Sequence, residues 1–268
     1  MTSSPNVPSP LSQSLGTNIL YPSGLSEVLL TEVVRCSKRI VSAASSFQIG
    51  GEAKLETKCH HDSEGPPLKT FLFDLKDESK RHAEYAAQVT LALADVVKGF
   101  PTLSLQGRLA ILVPDADFLS GVKPLLLAAM RDHFAPRTFN LIDASEASAM
   151  SMGGKAGGGK AGAELLVLDT IDNFDGLERL IVISVGLDVV IDATKDGAKS
   201  TAKEGDDDPT LETRSRLYRA LTRSHMVAIV VNEVLHGGWL ECTLRAEPAH
   251  IPPAHPHVRA RPRARTLR

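Results

Sequence analysis

The sequence has no excess of positive charge and few cysteines, and each shortage excludes a class of protein. Thirty Lys and Arg stand against 32 Asp and Glu, giving a formal net charge of −2. This balance excludes a uniformly basic surface for nucleic acid but leaves room for a local basic groove. The three cysteines, Cys36, Cys59 and Cys242, are odd in number and far apart. They argue against a disulfide framework and favour a reducing compartment.

Signals for a membrane, for export and for a metal are also missing. No apolar run approaches the roughly 18 residues that span a bilayer, and the N-terminus has no basic region followed by an apolar one. We therefore expect a soluble intracellular protein, in the cytoplasm or nucleus, with no membrane partner. The run Cys59-His60-His61-Asp62 lacks structural zinc spacing, so we predict a solvated loop and no metal site.

Composition separates one large domain from two ends of low complexity. Residues 1–24 are rich in Ser, Pro and Asn and hold no charged residue, which predicts a disordered leader. Residues 241–268 combine prolines and histidines with arginines and predict a disordered basic tail. The domain at 25–240 contains two predicted flexible insertions, a Gly-Gly-Lys-Ala repeat at 149–163 and a charged segment without aromatic residues at 191–208.

Within this domain, apolar runs of strand length alternate with longer stretches of helical periodicity. The predicted strands are 70–75, 108–113, 138–142, 165–168, 180–187 and 227–231, and the long helices are 78–98 and 118–133. The alternation predicts an α/β fold: a doubly wound, mostly parallel sheet of about six strands with helices on both faces. Ligands of such sheets bind at the carboxyl ends of strands, where Asp115 and Asp143 are predicted to lie.

The segment 164–233 is the most informative. The polar run from Thr170 to Glu178 separates two predicted strands, and we expect a loop and a short helix there. Residues 209–224 fit one helix, because Asp208 can cap it and Pro209 suits its first position.

This helix has two distinct sides. Leu217 and Leu221 share an apolar face, while Arg216, Arg219 and Arg223 recur at i, i+3 and i+7 and form a basic stripe beside it. The helix is therefore expected to pack by one side and to present guanidinium groups from another.

Two motifs of this segment resemble those of superfamily 1 helicases and translocases, whose fifth motif is T-x-x-x-x-[KQ]-G-x-E and whose sixth is Y-V-A-[LI]-T-R-A. Thr170, Gly176 and Glu178 match the first, and residues 218–224, Tyr-Arg-Ala-Leu-Thr-Arg-Ser, resemble the second. The segment shares features with both the UvrD/Rep-like and the Upf1-like branches, so the branch stays open. Asp175 departs from both branches, because an acid replaces the usual Lys or Gln.

A third stretch, residues 29–40, resembles the fourth motif of the family, L-x-x-x-[YF]-R-[CS] followed by a short helix. Arg35 stands where the family has a phosphate-contacting arginine, although Val34 replaces the usual aromatic residue. We expect one helix turning into a second here, with Ile40, Val41 and Ala44 pointing inward. Without the resemblance, Arg35 would be an ordinary surface arginine.

The resemblance implies the second, C-terminal RecA-like lobe of such an enzyme. It implies that Arg35 and Arg223 contact the phosphates of ATP as catalytic residues. It also implies that Gly176 lets the backbone approach the nucleotide, that Glu178 reaches the ribose and that Thr170 touches single-stranded DNA or RNA. For Arg223 the alternative is a structural one, pairing with Glu178 or Asp175 to hold its helix against the motif loop.

Groups that hold ATP and magnesium on a first lobe are not found in this sequence. The run from Gly154 to Ala161 ends in Gly-Lys-Ala and lacks the Ser or Thr of a P-loop, and a strand rather than a helix follows it. No Asp-Glu pair that follows a strand precedes Leu25 either. We therefore expect ATP with magnesium to bind only with a complementary first lobe, which is on another chain or missing from this one.

Two further interpretations stay open. A helicase-derived lobe can persist as a non-catalytic interaction or nucleic-acid-binding module, which Asp175 would suit. An unrelated nucleotide-binding α/β domain with its own pocket is the third. An upstream reading frame encoding G-x-x-x-x-G-K-[ST] would favour the helicase over the non-catalytic module.

We predict that the purified chain hydrolyses ATP no faster than a buffer blank, because the phosphate-cradling and magnesium-holding groups are missing. A coupled assay of ADP release measures this. Steady-state turnover of about 1 s⁻¹ or more, the ordinary range of enzymes, would mean that the glycine-rich run at 149–163 does bind phosphate.

Overall fold

The computed structural model describes residues 32–48, 58–60, 62–151, 162–188, 209–238 and 240. The predicted leader, the second insertion and the predicted tail lie outside these residues, as does most of the first insertion. Eight strands, five α-helices and one short 3-10 helix at Glu78–Lys80 are found in the described part of the chain. The strands are β1 (Glu32–Val33), β2 (Lys58–Cys59), β3 (Lys69–Phe73), β4 (Leu109–Val113), β5 (Phe139–Ile142), β6 (Glu164–Thr170), β7 (Arg179–Val185) and β8 (Ser224–Glu233). The helices are α1 (Lys38–Ser45), α2 (Arg81–Gly99), α3 (Ala116–Phe134), α4 (Ala144–Ser151) and α5 (Pro209–Thr222).

Six strands form one sheet in the order β3-β8-β7-β4-β6-β5. Every neighbouring pair is parallel. The α/β class, the six-stranded parallel sheet and the alternation of strands with helices are therefore confirmed, and the fold is consistent with a RecA-like, doubly wound domain. β1 and β2 form a separate parallel pair.

The central strand β4 shows why the domain has a core on each side of the sheet. All five of its side chains are buried. Because successive side chains of a strand point to opposite faces, Leu109, Ile111 and Val113 enter one core while Ala110 and Leu112 enter the other. A strand that is covered on both faces reads as a continuous apolar run, and this is the pattern that predicted it.

Helices cover both faces, as predicted. α2 and α3 bury one stripe each in the first core, including Val89 and Leu93 from α2 and Val122 and Leu126 from α3. Their four-residue spacing places each pair on one helix face. The helices α1, α4 and α5 contribute to the second core. No helix in the described ranges is long and apolar enough to cross a bilayer.

The acids at the carboxyl ends of β4 and β5 are helix caps. The Asp115 carboxylate accepts from the Phe118 N–H at 2.8 Å, and the Asp143 carboxylate accepts from the Glu146 N–H at 2.7 Å. Capping satisfies amide groups that have no partner within the helix. This contact accounts for both acids without a ligand.

Near the start of the described residues, the predicted first helix is wrong. Glu32 and Val33 form β1, which pairs with Lys58–Cys59. The second helix is confirmed as α1, and Ile40, Val41 and Ala44 are its buried residues. A partner strand about 25 residues away overrides the local helical pattern, and such pairing cannot be seen in a short window of sequence.

Two further local predictions are wrong. Residues 171–176 form successive turns and not the short helix expected after β6. Residues 149–151, predicted as the start of a flexible insertion, are the last turn of α4, and Met150 packs against the second core. α4 was not predicted, since only Ala144 and Ala147 of its eight residues are buried and its apolar pattern is weak.

We predict that Leu112→Ala lowers the free energy of unfolding by about 2–5 kcal/mol, because it leaves a cavity beside the central strand. Leu125→Ala is the control, since Leu125 is 41% exposed on α3, and its effect is expected to stay within about 0.5 kcal/mol. Urea unfolding followed by circular dichroism measures both. Equal losses would contradict the assignment of β4 to the centre of the sheet.

Candidate functional site

The candidate site lies where β7 and β8 begin. Arg179 and Ser224 open these strands and face each other in register. The Arg179 N–H donates to the Arg223 carbonyl at 3.1 Å. Glu178 and Arg223, which precede the two strands, are therefore neighbours at the amino edge of the sheet.

Arg35 reaches the same edge from a distant part of the chain. Its Nη2 lies 2.6 Å from Oε1 of Glu178. The neighbouring Cys36 thiol donates to the Thr222 carbonyl at 3.3 Å and ties this segment to the end of α5. Burial raises the pKa of Cys36 to about 11, so its thiol stays protonated at neutral pH.

Glu178 is held from two sides. Besides Arg35 on Oε1, Nε2 of His225 lies 2.7 Å from Oε2. The carboxylate thus brings together three residues that are distant in sequence. We refer to Arg35, Glu178, Arg223, His225 and Asp175, described next, as the amino-edge cluster.

The basic stripe of α5 meets two acids of the loop that joins β6 to β7. Asp175 accepts from Arg219 at 2.5 Å and from Arg223 at 2.9 Å. Asp172 accepts from Arg219 at 2.9 Å and from Arg216 at 3.2 Å. Arg219 bridges both acids, as the planar fork of a guanidinium allows. The loop is thereby fastened along the side of α5.

These contacts change the acidity of Asp175. Partial burial alone would raise its pKa, but the hydrogen bonds and positive charges of Arg219 and Arg223 outweigh that effect and lower it below the ordinary value. The carboxylate is therefore ionised at neutral pH. It occupies one guanidinium nitrogen of Arg223, the contact that the structural alternative for Arg223 anticipates.

The inner side of the loop is apolar. Ile171 and Phe174 are completely buried in the second core, under the chain that carries the two acids. Gly176 has φ +82°, a conformation that side chains rarely adopt, and a Cβ there would meet open space. Gly176 is thus required by the turn, and it also leaves the backbone beside Glu178 uncovered.

Thr170 lies apart from the amino-edge cluster. It pairs with Val113 at the carboxyl end of β4, whereas Ile181 of β7 pairs with Leu109 at the amino end. The loop therefore runs from the carboxyl ends of the strands back to their amino ends. Thr170 is 7% exposed, and its hydroxyl accepts from the Asn173 N–H at 3.2 Å.

Of the residues named from the motifs, Arg35 and Glu178 touch. Arg223 lies beside Glu178 through the pairing of β7 with β8, while its side chain contacts Asp175. The motifs miss His225, which belongs to no motif position, and they do not foresee that Asp172 pairs with arginines of α5. The basic stripe could have pointed to Asp172, because three arginines on one helix face need acidic neighbours. No signal in the sequence points to His225, whose contact depends on the pairing of β7 with β8.

No protein-family model matches the sequence, and no curated protein matches it. Among solved structures, the fold is similar to the C-terminal domain of a protein described as a possible DNA helicase from Lactobacillus plantarum WCFS1. The match has a TM-score of 0.41 and 12% sequence identity, and it covers 75% of this chain and 87% of that one. A likeness of this degree says nothing of function.

We predict that Asp175→Asn lowers the free energy of unfolding at pH 7 by about 0.5–1 kcal/mol, the range of exposed ion pairs. The folded-state pKa of Asp175 is lowered, so its contribution is present above the unfolded pKa of about 3.9 and is lost as the pH falls through the folded value. The difference from wild type should therefore shrink below about pH 4.

Urea midpoints at pH 7 and pH 3 measure this effect. Asp74→Asn is the matched control, since Asp74 is exposed and lies in the chain after β3. A loss at pH 7 that is the same for both variants, or a loss that does not change with pH, would contradict the role given to Asp175.

Proposed function

We propose that the domain is the second, C-terminal RecA-like lobe of a superfamily 1 ATP-dependent helicase or translocase. One observation carries the proposal: Arg35, Glu178 and Arg223, assigned from three separate motifs, lie at one edge of the sheet. Arg35 touches Glu178 directly. A generic α/β domain has no reason to gather these three positions. In this role Arg35 and Arg223 contact the phosphates of ATP.

The residues present suit a nucleotide with a negative phosphate chain. Guanidinium groups pair with phosphate oxygens through parallel hydrogen bonds, and an arginine aimed at the γ-phosphoryl group stabilises charge that develops during transfer. Glu178 would accept from a ribose hydroxyl, and Gly176 leaves room for the nucleotide beside the backbone. Magnesium would be held by a complementary first lobe, because the acids of the amino-edge cluster are already paired with arginine or histidine.

Single-stranded DNA or RNA is the proposed second ligand. The candidate contact, Thr170, lies at the carboxyl end of the sheet, opposite the amino-edge cluster. Nucleotide and nucleic acid would thus bind at opposite ends of the same strands. The Thr170 hydroxyl accepts a hydrogen bond within its own turn, and its O–H can still donate to a nucleic-acid oxygen.

The alternative is a non-catalytic interaction or nucleic-acid-binding module. The observation that favours it is the pairing of Arg216, Arg219 and Arg223 with Asp172 and Asp175. In the resembled family, the position of Asp175 carries Lys or Gln, which would leave Arg223 without this carboxylate. Under the first proposal, Arg223 must exchange Asp175 for a phosphate oxygen when ATP binds.

Binding of a fluorescent ATP analogue with magnesium to the chain, mixed with or fused to a complementary first lobe and followed by anisotropy, separates these proposals. We predict that Arg35→Ala and Arg223→Ala each weaken binding about tenfold, the loss of one hydrogen bond to a charged group. Arg131→Ala is the control, because Arg131 is exposed on α3, on the other face of the sheet. Its dissociation constant should match that of wild type.

The same variants are then titrated with labelled oligonucleotides of 20 thymidines or 20 uridines. Binding of an oligonucleotide, together with nucleotide binding no tighter than that of the first lobe alone, would support the non-catalytic module and contradict the helicase lobe. If Arg131→Ala weakens nucleotide binding as much as Arg223→Ala does, the amino-edge cluster is not the nucleotide-binding site.

A further inference from the structure

A separate pocket opens on the sheet face that carries α4 and α5. Its volume is about 220 Å³. Its lining includes Met150 at the end of α4, Leu165 and Val167 of β6, Gln106 and Gly107 in the turn before β4, and Arg179 at the first position of β7. Three of these side chains are apolar, and one is an arginine.

The guanidinium of Arg179 contacts a backbone carbonyl and an aromatic ring. Its Nη1 donates to the Glu178 carbonyl at 2.7 Å, and its central carbon lies 5.6 Å from the centre of the Phe174 ring. Its Nε is buried and has no hydrogen-bond partner within the described part of the chain. Burial lowers the pKa of Arg179, with no carboxylate opposing it.

Two other half-buried arginines of this domain are each paired with a carboxylate. Arg137 pairs with the Glu164 carboxylate at 2.6 Å, and Arg223 pairs with that of Asp175 at 2.9 Å. A positive charge removed from water is costly unless an anion accompanies it. Within the described part of the chain, Arg179 is therefore a cation without a paired carboxylate, beside a space large enough to hold an anion.

We propose that this pocket binds a small organic anion, with a carboxylate or phosphate group on Arg179 and an apolar body against Met150, Leu165 and Val167. The volume is below the roughly 300–1,000 Å³ of sites for drug-sized ligands, so the ligand is of the size of a single substituted ring. Mostly apolar walls with one placed charge are the ordinary composition of small-molecule sites. This inference does not depend on the proposed helicase function.

Amide chemical shifts of the full ¹⁵N-labelled chain, recorded by NMR during titration, test this inference. The probes are phenylacetate, phenyl phosphate and, as a neutral compound of similar shape, benzyl alcohol. We expect saturable shifts at Gly107, Leu165 and Val167 with at least one of the two anions. Benzyl alcohol should bind at least tenfold more weakly. The tighter of the two anions identifies the preferred acidic group, and inorganic phosphate shows what the charge contributes alone.

Arg179→Gln should weaken binding of the anion at least tenfold while keeping a polar, uncharged side chain at this position. Arg108→Gln is the matched control, because Arg108 is an exposed arginine just before β4, and it should change binding less than twofold. Should Arg179→Gln fail to fold, Ser151→Phe serves instead: it fills the pocket from its rim and should abolish the shifts while Arg179 remains.

Three results would overturn the inference. One is the absence of saturation with either anion up to about 20 mM, which corresponds to an affinity too weak for a built site. Another is equal binding of benzyl alcohol. The third is an equal effect of Arg179→Gln and Arg108→Gln or, where Ser151→Phe replaces Arg179→Gln, unchanged binding in that variant. None of these results would bear on the nucleotide-binding role proposed for Arg35 and Arg223.

Discussion

The candidate site depends on how one loop crosses the sheet. From the carboxyl end of β6 the chain must reach the amino end of β7 in only the eight residues 171–178, with no helix between. Phe174 anchors its inner side in the core, and Asp172 and Asp175 fasten its outer side to the arginines of α5. This double attachment places Glu178 beside Arg223. Charge on the helix and apolar burial under the loop therefore act together to build the amino-edge cluster.

The fold could be predicted from the sequence where burial alone determines the structure. β4, β6 and β7 are covered on both faces, so each is a continuous apolar run that needs no knowledge of its partners. Prediction failed where structure is set by distant partners or weak patterns. β1 is strand only because Lys58–Cys59 lies beside it, and α4 buries little more than two alanines.

For the site, the motifs could name candidate residues but could not predict the contacts that these residues make with one another. Arg35 contacts Glu178 and Arg223 lies beside Glu178 just before β8, whereas the engagement of Arg223 by Asp175 follows from the position of the loop beside α5. The general rule for doubly wound sheets favoured the carboxyl edge, yet Asp115 and Asp143 there are occupied as helix caps. The nucleotide-binding proposal instead concerns the amino edge, where the arginines lie.

The most direct test of this account is to map where ATP contacts the chain. Photolysis with an azido-substituted ATP analogue and magnesium in the presence of a complementary first lobe, followed by peptide mass spectrometry, reports the residues nearest to the nucleotide. The account predicts labelled peptides that contain Arg35, Glu178 or Arg223, and their protection by excess ATP. Labelling confined to the carboxyl edge, at peptides around Asp115 or Asp143, would contradict it.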